Sequence, residues 1–243
     1  MTTPQPRPLT PSLELATFSL PSALQALSSP TPPSRVELCV SSALGGLTPP
    51  LVDFLALKTA TRSLPRPVPI NVMIRPHGES FVYAAAEIDS MVRRIQEFKE
   101  AGSDEDGFVF GCLGHQGGVD EDATRRLLDA ASPRPCTFHR AFDEIPPAAM
   151  PAQLKILIAL GFASVLTSGG APNAFAGRDI LRPLVSEAAG RISIIVGGGV
   201  RQTNISELKT ATGARWFHSS AVVDGGEVCD LDEIEGLWRA LKS

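Results

Sequence analysis

The sequence is poor in the features that mark several functional classes. Its four cysteines, Cys39, Cys112, Cys136 and Cys229, form no CxxC pair, so a zinc knuckle or a thioredoxin-type redox site has no support. In a reducing cytosol they are expected to be free thiols. Lys and Arg total 22 against 26 Asp and Glu, a net charge of −4. That is not the clustered positive surface nucleic acid requires, and no nucleic-acid partner is expected. No apolar run approaches the ~20 residues that cross a bilayer, so no membrane partner is expected either. The N-terminal stretch has no apolar h-region and one Arg, Arg7, which argues against a signal or transit peptide. Together these predict a cytoplasmic location, compatible with the nucleus in a eukaryotic cell. Every lysine (Lys58, Lys99, Lys155, Lys209, Lys242) falls in a stretch of helical pattern. None ends a predicted strand, which argues against a Schiff-base aldolase, because that chemistry needs a lysine nucleophile inside the fold.

What is present is an alternation of short apolar runs with helical patterns along the whole chain. The predicted strands are Leu13–Thr17, Arg35–Cys39, Ile70–Arg75, Gly107–Gly111, Cys136–Arg140, Ser164–Thr167, Ile192–Val196 and Arg215–Ser219. They are short and mostly apolar, as parallel strands covered on both faces are. Between them, sets such as Ile88, Met91, Val92, Ile95 and Phe98 recur at 3/4 spacing and mark amphipathic helices. Asp120 is placed to cap one helix, and Thr203 or Asn204 another. Eight strand–helix units in 243 residues predict a single α/β domain, a (β/α)₈ TIM barrel. A doubly wound sheet would have fewer strands and an early Gly-rich turn, whereas Gly197–Gly199 follows the seventh strand. Residues 1–12 read as a disordered Pro-rich tail, and 13–243 as the barrel. Self-association is left open.

A barrel gathers the C-terminal ends of its strands into one functional rim. The polar residues there are Glu14, Glu37, Cys39, Arg75, His77 and His139, then Arg140, Asp143, Thr167, Ser168, His218 and Ser219. Glu14 and Glu37 lie inside strands, where a carboxylate needs a cation, a metal or a donor. Arg75 and Arg140 are candidate structural partners; acid–base or ligand roles are the alternative. Asp143, four residues after His139, could orient that imidazole and raise its basicity. Gly198 and Gly199 after strand seven and His218-Ser219-Ser220 after strand eight stand where such barrels often build a phosphate cup.

These residues resemble the CutC copper-homeostasis family. The matching pieces are Arg35-Val-Glu-Leu-Cys39, Gly45-Gly-Leu-Thr-Pro49, Ile74-Arg-Pro76, Thr137-Phe-His-Arg-Ala-Phe-Asp143, Leu166-Thr-Ser-Gly169, Gly197-Gly-Gly-Val200 and His218-Ser-Ser220. They occur in the family's order. The resemblance implies a TIM barrel and a cytosolic protein linked to copper handling, with Cu(I) held by cysteine, as soft thiolates favour. Family members usually carry a cysteine near the end of the first strand, where this chain has Leu13-Glu-Leu-Ala-Thr17. The resemblance therefore leaves Cys39 as the thiol ligand, with His139 or His218 as helpers.

Three readings follow. One is a CutC-like copper-homeostasis protein binding Cu(I) with an altered thiol set. Another is an enzyme acting on a small anionic or phosphorylated metabolite. In it Glu14, Glu37 and His139 move protons, Asp143 orients His139, and Arg75, Arg140, Ser168, Gly198, Gly199, His218 and Ser219 hold the anion. The third is a non-catalytic scaffold.

Overall fold

The computed structural model describes residues 10–223 and 225–243. Residues 1–9 of the expected tail lie outside the described residues. The rest forms a closed barrel of eight parallel strands in sequence order, each followed by a helix.

The strands are β1 (Ser12–Thr17), β2 (Arg35–Leu38), β3 (Ile70–Met73), β4 (Gly107–Phe110), β5 (Cys136–Phe138), β6 (Ser164–Thr167), β7 (Ser193–Gly197) and β8 (Trp216–Ser219). The helices are α1 (Leu20–Ser28), α2 (Leu51–Arg62), α3 (Ala85–Ala101), α4 (Glu121–Ala131), α5 (Met150–Leu160), α6 (Arg178–Ala188), α7 (Ile205–Thr212) and α8 (Leu231–Lys242). β1 starts at Ser12, one residue inside the expected tail. β2, β3, β4 and β5 end one or two residues earlier than the apolar runs suggest, although Cys39 N, Ile74 N and His139 N still donate to Thr17 O, Val109 O and Phe110 O of the neighbouring strands. Arg140 opens a 3₁₀ turn (Arg140–Glu144) instead of closing β5.

Strand side chains alternate between two environments. Leu13, Leu15, Val36, Leu38, Ile70, Val72, Phe108, Phe110 and Phe138 point outward into the core beneath the helices. The helices meet them with the expected stripes: Ile88, Met91, Ile95 and Phe98 of α3 are buried, as are Leu154 and Leu157 of α5. Burying each such side chain contributes about 1.5–3 kcal/mol. In α2, Phe54 and Leu57 are buried while Leu55 lies exposed. Asp120 caps α4 by accepting from Ala123 N. Asn204 precedes α7 but does not cap it. Its Oδ1 accepts from Arg201 N and its Nδ2 donates to Gly199 O, which ties down the loop after β7.

The inward positions carry the chemistry. Asn71 on β3 donates both to Glu14 on β1 and to Thr137 on β5, contacts that cross the barrel interior. A polar interior is unusual, because branched apolar side chains commonly fill these layers.

Candidate functional site

The period-2 alternation of β1, β2 and β8 sets the lower layer of the interior. Glu14, fully buried, accepts from Arg35 Nε at 2.5 Å and from Asn71 Nδ2 at 3.3 Å, and meets His218 Nδ1 at 2.7 Å. Arg35 also stacks over the Trp216 ring at 4.4 Å. Burial alone would raise the Glu14 carboxyl. Arg35 and His218 reverse this and hold it down at about 2. Glu14 is thus ionised at neutral pH, and His218 donates Nδ1–H to it. The cationic partner is Arg35, rather than the Arg75 or Arg140 suggested by strand-end reasoning. The signal was the Arg35-Val-Glu37 alternation, which puts Arg35 on the interior face with Glu37.

Above this layer is a cavity of about 260 Å³ whose lining includes Glu37, His218, Arg75, His139, Arg140, Arg201, Gly198, Gly199 and Ser219. Ser168 borders it through its bond to Arg140. Glu37 is buried and its Oε2 has no hydrogen-bond partner among the described residues. Burial pushes its carboxyl up to about 7, with the neighbouring Glu14 adding to the rise, while His218 and Arg35 pull the other way. Burial disfavours the His218 imidazolium, but Glu37 and Glu14 outweigh it and raise that group above its ordinary range.

His139 follows β5 and caps the 3₁₀ turn. Its Nδ1 accepts from Ala141 N at 3.2 Å. Its ring fits because residue 111 is glycine; a Cβ there would sit 2.6 Å from Nδ1. Burial, and Arg75 nearby, hold the imidazole down at about 3, so it is neutral. Its Nε2 has no partner among the described residues.

Asp143 does not orient His139. The 3₁₀ turn directs it to the loop after β6, where Oδ1 accepts from Thr167 Oγ1 at 2.5 Å, Ser168 N at 3.0 Å and Gly170 N at 3.0 Å. Its Oδ2 accepts from Arg140 Nε at 2.8 Å and from Ser168 Oγ. Asp143 therefore fixes Arg140 and Ser168 at the rim. Arg140 Nη2 donates to Ser168 Oγ, and the guanidinium lies against Gly198.

Arg75 is less available than expected. Nη1 donates to Leu44 O and Gly46 O and Nη2 to Gly78 O, while the guanidinium stacks on Phe81 at 4.5 Å. It pins the loops after β2 and β3, and among the described residues its Nε finds no partner. Ser219 is similarly engaged: its hydroxyl donates to Val200 O and accepts from Ala221 N. At the rim, Gly198 and Gly199 adopt φ of +98° and +72°, a left-handed geometry that glycine takes without strain. Arg201, which strand-end reasoning missed, follows them. It donates to Val200 O, Ser219 Oγ and Val222 O, so it braces the β7 and β8 loops while lining the cavity. It lies beyond the strand, and only the fold of the Gly197–Val200 loop brings it back to the rim.

Cys39 is fully buried beside Met73 and Val109, and its Sγ donates to Thr17 O at 3.3 Å. Burial first, then Glu37 and Glu14, push the thiol well above its ordinary range. Cys112, Cys136 and Cys229 pack in the outer core. Among the described residues, the one group of three close potential metal ligands is Glu14, Glu37 and His218, which contains no thiol.

A family model described as the CutC family matches residues 12–223. The chain belongs to the CutC family. A CutC family protein from Porphyromonas gingivalis is 44% identical over 187 residues, covering 77% of this chain and 72% of the relative. The human protein named copper homeostasis protein cutC homolog is 38% identical over 189 residues, 77% of this chain and 65% of the relative. The crystal structure of a CutC from Streptococcus agalactiae superposes with a TM-score of 0.81 at 31% identity, covering 87% of this chain and 99% of that one. This CutC-family chain thus shares its barrel with that structure. Among the described residues, no helix is long and apolar enough to cross a membrane.

Proposed function

We propose that the chain serves copper homeostasis, as the names of its relatives indicate, and that its barrel mouth binds a small anion. One observation carries the second part: a cavity of about 260 Å³ is rimmed by Arg140, Arg201, Gly198 and Gly199 and lined by Glu37 and His139, whose Oε2 and Nε2 are buried without a partner among the described residues. Buried polar atoms are normally satisfied, and an orphan costs about 1–3 kcal/mol. A bound molecule would remove that cost. Glu37 and His218 stand where they could exchange a proton with it.

Direct Cu(I) binding fits the residues poorly. Cu(I) prefers thiolate or thioether donors, whereas Cys39 is held protonated on Thr17 O. The copper role of this chain is therefore read as working through a small-molecule ligand.

Thermal shift and calorimetry with inorganic phosphate and sulfate test this. Both anions should stabilise the wild-type chain, and Arg140→Met and Arg201→Met should each weaken phosphate about tenfold, the loss expected for a charge-assisted hydrogen bond. Indifference of the wild type to both anions would overturn the anion reading.

A further inference from the structure

The hydrogen bonding of His139 fixes which nitrogen carries its proton. Nδ1 accepts from Ala141 N, so it presents a lone pair. In the neutral ring the proton then lies on Nε2, which is buried and unpartnered. His139 is therefore a fixed donor, in contrast to His218, whose Nδ1 is committed to Glu14. Glu37 offers an unpartnered acceptor oxygen to the same cavity. The cavity thus presents a donor, an acceptor and a cationic rim.

We propose that this pocket takes a small organic anion bearing a carbonyl beside a hydroxyl. The anionic end lies at Gly198, Gly199 and Arg201, the carbonyl oxygen accepts from His139 Nε2–H, and the hydroxyl donates to Glu37 Oε2. This rests on the anion-pocket reading and adds the chemistry of the ligand's other end. Phe81 packs edge-on against the His139 ring at 4.9 Å and lines the same cavity. His139 acts here as a neutral electrophilic donor, a role that needs its imidazole uncharged.

Calorimetry with three probes tests the proposal: inorganic phosphate, propyl phosphate and dihydroxyacetone phosphate. The wild-type chain should bind dihydroxyacetone phosphate about tenfold or more tighter than propyl phosphate, because propyl phosphate leaves both buried groups unpaired. His139→Phe keeps a ring against Phe81 and removes the donor. It should bring the two affinities to within about threefold. His139→Gln, which retains an N–H, should recover part of the difference. Independently of any ligand, ¹⁵N NMR should show Nδ1 as the unprotonated nitrogen of His139 from pH 5 to pH 8. Equal affinity for the two organic phosphates, discrimination that persists in His139→Phe, or a proton on Nδ1 would overturn the proposal and leave the anion pocket standing. Failure of all three probes, inorganic phosphate included, would remove the anion pocket itself.

Discussion

Glu14 and Glu37 are the same residue type on adjacent strands of one barrel interior, and they have opposite circumstances. Glu14 is held by Arg35, His218 and Asn71 and stays ionised. Glu37, one layer nearer the mouth, has an oxygen with no partner and holds its proton to about 7. Satisfied buried charge belongs to the architecture. An unsatisfied buried polar atom next to a cavity points to something the fold alone does not provide.

The sharpest way to break the comparison is to remove each carboxylate in turn. Glu14→Gln leaves Arg35 and His218 without their anion and should cost about 3–5 kcal/mol in urea unfolding. At pH 5, where Glu37 keeps its proton, Glu37→Gln should leave stability within about 1 kcal/mol of wild type, because one neutral side chain replaces another. Equal costs would erase the distinction between the two residues.

The next effect is on the rim. Asp143→Asn weakens one side chain's bonds to Thr167, Ser168, Gly170 and Arg140. It should destabilise the chain by about 2–3 kcal/mol and loosen phosphate binding through Arg140. A variant of wild-type stability would show that Asp143 does not organise the loop after β6.

A smaller effect separates the carboxylates by pH. Folded Glu37 keeps its proton up to about 7, whereas its ordinary value is 4.5. The folded state therefore binds the extra proton within that window, and its stability falls as pH rises through it, by about 1–3 kcal/mol. Glu14 acts in the opposite sense: its contribution is present above 4.5 and is lost as pH falls towards about 2. Subtracting the urea stability of Glu37→Gln from that of wild type across pH 4 to 8 should give a difference that declines with pH. A flat difference would contradict the assignment.

Cys39→Ser should have the smallest effect on metal. With the thiol held on Thr17 O, Cu(I) affinity under a competing chelator should change by less than about threefold. A loss of a hundredfold would make Cys39 a copper ligand after all.

The barrel was legible because its signals are local. Short apolar runs, 3/4-spaced helices such as Ile88–Phe98 and the Asp120 cap each sit within a few residues. The site was legible only where position along a strand decides location, as for Glu37, His139 and His218, which do meet at the cavity or its floor. It was misread where a turn decides direction. Asp143 is four residues from His139, yet the 3₁₀ turn points it to the neighbouring loop. Arg75 was legible as a strand-end cation, but its engagement with Leu44, Gly46 and Gly78 depends on loops that come from distant sequence. Arg201 was missed for the same reason, since backbone geometry at Gly198 and Gly199 returns it to the rim.

A ¹³C NMR titration of the glutamate side-chain carboxyls reads the contrast between β1 and β2 with nothing else in solution. Glu14 should show no protonation from pH 8 down to pH 4, while Glu37 should titrate near neutrality. Two ordinary curves centred close to pH 4.5 would mean that the barrel treats both residues alike, and the case for a ligand at its mouth would lose its foundation.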